Sequence, residues 1–293
     1  MSLNAVKMLG IKITNSSKKE ILEEVQKYLD SGEKNSQKGT KKTIKPLVIA
    51  TPNPEQVIFA QQNSHFRDLI NRVDIAIPDG VGIVWASSIL ASKGQKNSVS
   101  VIEKTVPGIE FMQELVSFAV KRSINTALIG GRDKVALEAF ECLAKKYPGL
   151  RAPNQNKFGT GYSLAEDGPD IQFANDELRM PKDKDYFKKL AHRIADAKIQ
   201  LVFVGLGAPK QEFFIEKLVQ ELSMINNQLP TVFMSVGGSF DVISGKFSRA
   251  PSWVRSIGFE WLWRLALEPW RIKRQFALLQ FIFLVLKERL SLK

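Results

Sequence analysis

Residues 47–56 read Leu47-Val48-Ile49-Ala50-Thr51-Pro52-Asn53-Pro54-Glu55-Gln56, and this stretch decides the fold. Four consecutive apolar residues, two of them β-branched, suit a strand buried on both faces, as in a parallel sheet. Pro54 fits the first position of a helix, and Asn53 fits its cap. A strand running straight into a helix opens a parallel β/α unit, and ligands collect at the carboxyl ends of such strands. The cap alone would account for Asn53, so a binding role for Thr51 and Asn53 depends on what else reaches the same edge.

Outward from this unit the pattern repeats. Further short apolar runs occur at Asp74–Ile77, Thr126–Ile129, Ile199–Val204 and Thr231–Ser235. Helical spacing fills Pro54–Asn71, Gly108–Ser123, Lys134–Tyr147, Tyr186–Ala197 and Gln211–Leu222. The expected fold class is α/β: a Rossmann-like layered domain with a mostly parallel sheet over residues 1–247. Met1–Glu20 reads as a short strand and turn and lacks the apolar core and cleavage site of a signal peptide. Ser31–Lys45 is polar and basic, and Arg151–Asp185 is rich in Gly, Asn, Asp and Pro; both are expected as mobile loops.

From Ser248 the character changes. Residues 248–293 hold four of the five tryptophans, Trp253, Trp261, Trp263 and Trp270, together with many arginines, and end in the apolar run Phe276–Leu286, broken only by Gln280. That run falls short of the roughly 20 residues a membrane span needs. Its mixture of Trp, Phe and Arg suits a helix lying in a membrane interface, so a membrane-associating helical appendage is expected. The alternative is a terminal helix that docks its Phe and Leu on the core.

Composition narrows the function classes. The 293 residues are 44% apolar and carry a formal charge of +12, which draws the molecule toward nucleic acid, anionic lipid or a phosphorylated substrate. No helix-turn-helix, zinc-finger or aromatic RNA-binding motif is visible, so no nucleic-acid partner is expected. A single cysteine, Cys142, suits a reducing compartment. His65, His192 and Cys142 lie in helix-like stretches as surface or core residues, and no metal site is expected from them.

Several motifs converge on strand ends. Ile77-Pro78-Asp79-Gly80-Val81-Gly82 puts one carboxylate on a glycine-flanked turn. Asp79 either caps the helix beginning near Val81 or serves as a general base. Gly130-Gly131, Gly205-Leu206-Gly207-Ala208-Pro209 and Gly237-Gly238, the last followed closely by Asp241, are strand-to-turn-to-helix junctions of the kind that favour phosphate. Lys210 stands where a dinucleotide fingerprint would need its third glycine, which argues against a nicotinamide cofactor. The Asp-x-Asp match Asp183-Lys184-Asp185 follows a polar loop and reads as a solvated charge cluster, so metal-independent chemistry with no cofactor is expected.

TPNPEQV, IPDGVGIVWAS, LIGGRD, VGLGAPKQE, VGGSFDVISGKFSRAP and GFEWLWRLALEPWRIKR, in that order across residues 47–275, resemble the successive signatures of the WecG/TagA/CpsF glycosyltransferases. The resemblance implies an inverting transfer from a UDP-sugar, commonly N-acetylmannosamine or its uronate, to an undecaprenyl-diphosphate-linked sugar in teichoic acid or cell-surface polysaccharide synthesis. It implies Asp79 as base, with Thr51 and Asn53 in the same pocket and Gln211 contacting donor or acceptor. It assigns Arg264, Arg271 and Arg274 to diphosphate neutralisation, for which guanidinium forks are suited. One departure stands out: Lys104 occupies the place of a family arginine, keeping the charge without the bidentate fork. A peripheral enzyme on the inner face of the plasma membrane is expected, with the apolar tail also available for homo-oligomerisation. The contrasting reading is a basic nucleotide-sugar-binding or nucleic-acid-binding protein without catalysis.

Overall fold

The computed structural model describes residues 3–37, 44–91, 100–150, 163–174, 177–179, 185–225, 229–256, 258–267, 269 and 272–291. The chain opens with an antiparallel hairpin, β1 (Ala5–Met8) and β2 (Ile11–Thr14), followed by α1 (Lys18–Gln37). Then come β3 (Leu47–Ala50), α2 (Pro54–Gln62), α3 (Ser64–Arg72), β4 (Ile75–Ala76), α4 (Val81–Leu90) and α5 (Gly108–Lys121). The middle of the chain forms β5 (Asn125–Gly130), α6 (Val135–Lys146), β6 (Leu164–Glu166), the short antiparallel pair β7 (Gln172–Ala174) and β8 (Glu177–Arg179), and α7 (Tyr186–Asp196). The last strands and helices are β9 (Ile199–Gly205), α8 (Lys210–Met224), β10 (Val232–Ser235), α9 (Ser239–Ile243), α10 (Ser252–Ser256), α11 (Glu260–Leu267) and α12 (Ile272–Ser291).

Six strands form one sheet in the order β4-β3-β10-β9-β5-β6, and each neighbouring pair is parallel. This is the α/β layered architecture expected from the sequence. Strand periodicity explains why a continuous apolar run was needed. Leu201 and Phe203 point into the core under α1, α5 and α6, while Val202 and Val204 join the core under α7 and α8. A third apolar cluster joins the hairpin to α2, α3 and α4 and takes in Phe281 and Val285 of α12.

Four expectations need correction. The loop expected at 31–45 begins later, because α1 carries its helical backbone through Gln37. The loop expected at 151–185 contains β6, which pairs with β5 through Ala127↔Leu164 and Ile129↔Glu166, and holds Ser163 buried against Thr126. Ion-paired edges such as Arg193–Glu166, at 2.7 Å, mask the apolar signal there. The single helix expected over Pro54–Asn71 is two, divided at Asn63, whose backbone is extended (φ −126°, ψ 106°). Its N–H donates to Phe59 O at 2.9 Å, ending α2, and its side-chain oxygen accepts from Phe66 N at 2.7 Å, starting α3. Finally, α12 is amphipathic against the protein itself: Phe281 and Val285 are fully buried, whereas Phe276, Leu279, Phe283, Leu286 and Leu290 are exposed. One face of α12 thus docks on the core, and the opposite face is exposed.

Candidate active site

Parallel strands deliver their carboxyl ends to one edge, where register sets the levels. Ile49 pairs with Met234 and Ile75, Ser235 with Val204, and Gly130 with Gly205. The turns that follow therefore meet around a cleft of about 780 Å³, a volume in the range of small-ligand pockets. The walls are Thr51 and Asn53–Gln56 after β3, Asp79–Gly82 after β4, Gly131–Asp133 after β5, Gly205–Ala208 with Lys210 and Gln211 after β9, and Val236–Ser239 with Asp241 after β10.

Close packing explains two of the glycines. A Cβ at Gly130 would lie 2.5 Å from Gly205 O, and one at Gly205 would lie 2.7 Å from the Phe240 ring, so β5, β9 and α9 meet here only without side chains. Gly237 is different: it has open space around it but sits at φ +54°, a backbone conformation that turns the chain into α9.

Asp79 lines the cleft and is half-buried. Its N–H donates to Pro52 O at 3.1 Å, tying the β4 turn to the β3 turn, and its carboxyl accepts from the N–H of Gly108, the first residue of α5. It therefore sits at the positive end of a 14-residue helix. Burial, reinforced by the Glu260 carboxylate, pushes its pKa up to about 6 against the opposing pull of Arg264, the Gly108 N–H and Arg249. The helix that follows, α4, begins at Val81 with Gly80 at its cap position and no side-chain cap bond, so Asp79 is not spent as that cap.

Thr51 is buried beside it, its hydroxyl donating to Ser235 O at 3.4 Å. Asn53 does cap α2: its side-chain oxygen accepts from Gln56 N at 3.0 Å while Gln56 Oε1 accepts from Asn53 N at 3.2 Å. Gln211 lines the cleft but is internally engaged, accepting from Gly237 N at 2.9 Å and donating to Glu212 at 2.8 Å. These bonds hold the Gly237 turn while the side chain still lines the cleft.

The appendage supplies the remaining wall. Arg249, Arg255, Glu260, Trp261, Arg264 and Leu278 all face the cleft. Arg249 and Arg255 converge on Glu110 Oε1 in the first turn of α5, at 2.8 and 3.3 Å, and Arg249 Nε lies 3.9 Å from Glu260. On the far wall, Lys134 N–H donates to Asp167 at 3.0 Å and Arg132 meets Asp170 at 3.4 Å. These contacts hold Gly168, Pro169 and Ile171 against the cleft, a wall drawn from the segment expected to be loop.

Of the residues singled out in the sequence, the fold gathers Thr51, Asn53, Asp79, Gly131, Gly205, Gly207, Gln211, Gly237, Gly238, Asp241 and Arg264 around this cleft. Gly130 and Pro209 stand behind its lining in structural positions. Lys104 is exposed and outside the cleft wall, next to Thr105, which lines it. Arg271 lies outside the described residues, as does the side chain of Arg274. Sequence reading missed Glu110, Glu260, Arg249 and Arg255, although the last two lie inside quoted motifs or just beside them; their ion pairing was not legible there.

The profile described as the glycosyl transferase WecG/TagA/CpsF family matches residues 6–293. The chain is 30% identical over 247 residues to an N-acetylglucosaminyldiphosphoundecaprenol N-acetyl-beta-D-mannosaminyltransferase of Bacillus subtilis (strain 168), covering 84% of this chain and 81% of that protein. A protein of the same name from Staphylococcus aureus (strain NCTC 8325 / PS 47) is 27% identical over 288 residues, covering 98% of this chain and 94% of its own length.

Proposed function

The chain belongs to the WecG/TagA/CpsF family of glycosyltransferases, and from that premise we propose that it moves an N-acetylmannosamine-type sugar from UDP to a polyprenyl-diphosphate-linked N-acetylglucosamine. The acceptor and the transferred sugar are those in the names of its relatives. The observation that carries the reading is Asp79: a carboxylate with its pKa near 6, seated in a deep cleft beside Arg264 and Arg249. Such a group is ionised at neutral pH yet basic enough to take a proton.

In this reading Asp79 removes the proton of the acceptor hydroxyl as its oxygen bonds to the anomeric carbon. The bond from that carbon to the β-phosphate oxygen breaks on the opposite face, so the configuration inverts. UDP leaves with the electron pair, and the guanidinium groups of Arg264 and Arg249 with the β10–α9 turn stabilise its growing charge. The cleft walls supply these charges themselves, so the transfer is proposed to need neither metal nor cofactor.

The exposed stripe of α12, residues 276, 279, 283, 286 and 290, repeats at helical spacing beside a cleft that Leu278 of the same helix helps to line. No helix among the described residues is long and apolar enough to cross a membrane. The proposal places this stripe in the surface of the inner leaflet, bringing the cleft mouth to a lipid-linked acceptor for cell-surface polysaccharide or teichoic acid assembly. The test is UDP release from a panel of UDP-sugars with and without a short-chain diphosphate-linked N-acetylglucosamine. Acceptor-dependent release with UDP-N-acetylmannosamine is expected; no release with any donor would overturn the reading.

A further inference from the structure

Glu212 is a buried carboxyl that the transfer chemistry leaves unused. It is the third residue of α8 and only 3% exposed. Its Oε1 accepts two amides, Gln211 Nε2 at 2.8 Å and Gln56 Nε2 at 3.0 Å. Its Oε2 and the Ser235 hydroxyl on β10 are both buried and face each other without a well-aligned hydrogen bond. Burial pushes the Glu212 pKa up to about 7, so a neutral carboxyl, with one carbonyl oxygen for both amides, is well populated at neutral pH.

Each amide leads to a different wall of the cleft. Gln211 accepts from Gly237 N at 2.9 Å and so fixes the turn between β10 and α9. Gln56 closes the capping box with Asn53 at 3.0 and 3.2 Å and so fixes the turn between β3 and α2. A single oxygen atom thus joins the two turns, in addition to the Thr51 hydroxyl bond to Ser235 O where β10 ends.

We propose that Glu212 is a positioning residue that couples the two walls of the sugar-nucleotide cleft, setting the Gly237 turn and the Asn53 turn at a fixed separation through Gln211 and Gln56. It stands outside the cleft lining and acts through those two amides. The inference rests on the reading of the cleft as a sugar-nucleotide site. Loss of the shared acceptor leaves two buried amide donors unpaired, and they regain partners only by turning away from one wall or the other.

The test compares full-length wild type with E212Q, E212L and E212D by UDP calorimetry and by transfer kinetics per UDP-binding site. E212Q keeps one carbonyl oxygen in place and is expected to retain kcat/KM within about threefold. E212L removes the acceptor and E212D shortens its reach, and both are expected to raise donor KM and lower kcat by about tenfold or more per binding site. Glu212 acting only on stability would reduce the number of UDP-binding sites and leave KM and kcat per site unchanged, which overturns the proposal. E212Q failing as badly as E212L also overturns it, by placing the charge itself in the chemistry. If E212L does not fold, E212D against E212Q decides by the same criteria. Wild-type UDP binding without sugar transfer sinks the functional reading, whereas wild-type transfer rates in E212D sink this inference alone.

Discussion

Arg249 Nη2 lies 2.8 Å from Glu110 Oε1, joining the start of the C-terminal appendage to the first turn of the helix whose N-terminus holds Asp79. Arg255 reaches the same carboxylate oxygen at 3.3 Å. The appendage is therefore a wall of the cleft, and its first arginine has two effects there. It fastens the wall, and its charge lowers the pKa of Asp79.

Replacing Arg249 by Ala separates these effects. Loss of the nearby cation moves the Asp79 pKa further up, so the acidic limb of the kcat/KM profile shifts to higher pH. The loosened wall raises the UDP-sugar KM by about tenfold. A pH-rate profile with an unmoved limb would show that Arg249 acts on the wall alone.

Asp79→Asn removes the base and keeps the shape. Transfer is expected to fall by about 100-fold or more, with UDP affinity by calorimetry within about threefold because the proposed base acts on the acceptor hydroxyl. In the wild type, kcat/KM is expected to rise with pH through about 6 as Asp79 ionises. A rate that is flat from pH 5 to 8 would remove Asp79 from the role.

The same substitution should stabilise the fold. The Asp79 pKa is raised from 3.8 to about 6, so the folded protein binds this proton more tightly than the unfolded chain does. The Asp79 contribution to stability is intact below pH about 4 and is lost as the pH climbs through 6. Asn escapes that loss, so D79N should exceed wild type by up to about 3 kcal/mol at pH 8 and match it near pH 4. Thermal unfolding across this range measures the opening gap; Glu212 titrates in both proteins and cancels in the difference.

The two faces of α12 predict two separable phenotypes. Phe281→Ala empties a fully buried position and should cost about 3–5 kcal/mol in denaturant unfolding. Leu279→Glu with Phe283→Glu places charge on the exposed stripe, which should leave stability and UDP affinity near wild type while abolishing sedimentation with anionic liposomes. Truncation at Ser248 confounds the two, because it also strips Phe281 and Val285 from the core.

Gly205→Ala forces a Cβ to within 2.7 Å of the Phe240 ring. Overpacking of this kind is expected to cost about 1–3 kcal/mol and to raise the donor KM, since α9 and its Gly237–Gly238 turn must shift. Gly207→Ala meets open space but keeps the strained φ of +75°, so a smaller loss of about 1 kcal/mol is expected. Paired unfolding curves distinguish steric from backbone cost.

The sequence by itself determined the layered sheet, because each central strand had to be apolar on both faces, and Leu47–Ala50, Ile199–Val204 and Thr231–Ser235 carry that signal in consecutive residues. It also placed Asp79, Thr51, Asn53 and the glycine turns at one edge, since parallel strands leave their carboxyl ends on the same side. What it could not carry were contacts between residues far apart in the chain. Strand β6 is short and borrows its stability from β5, so its own residues show little pattern. Glu110 with Arg249 and Gln56 with Glu212 are 139 and 156 residues apart, and nothing local distinguishes these side chains from solvated ones. Only the tertiary structure decided that Glu110 ties down the appendage, that Glu212 lies beneath the cleft and that Lys104 lies outside it, because burial and charge pairing exist only once distant segments share one space.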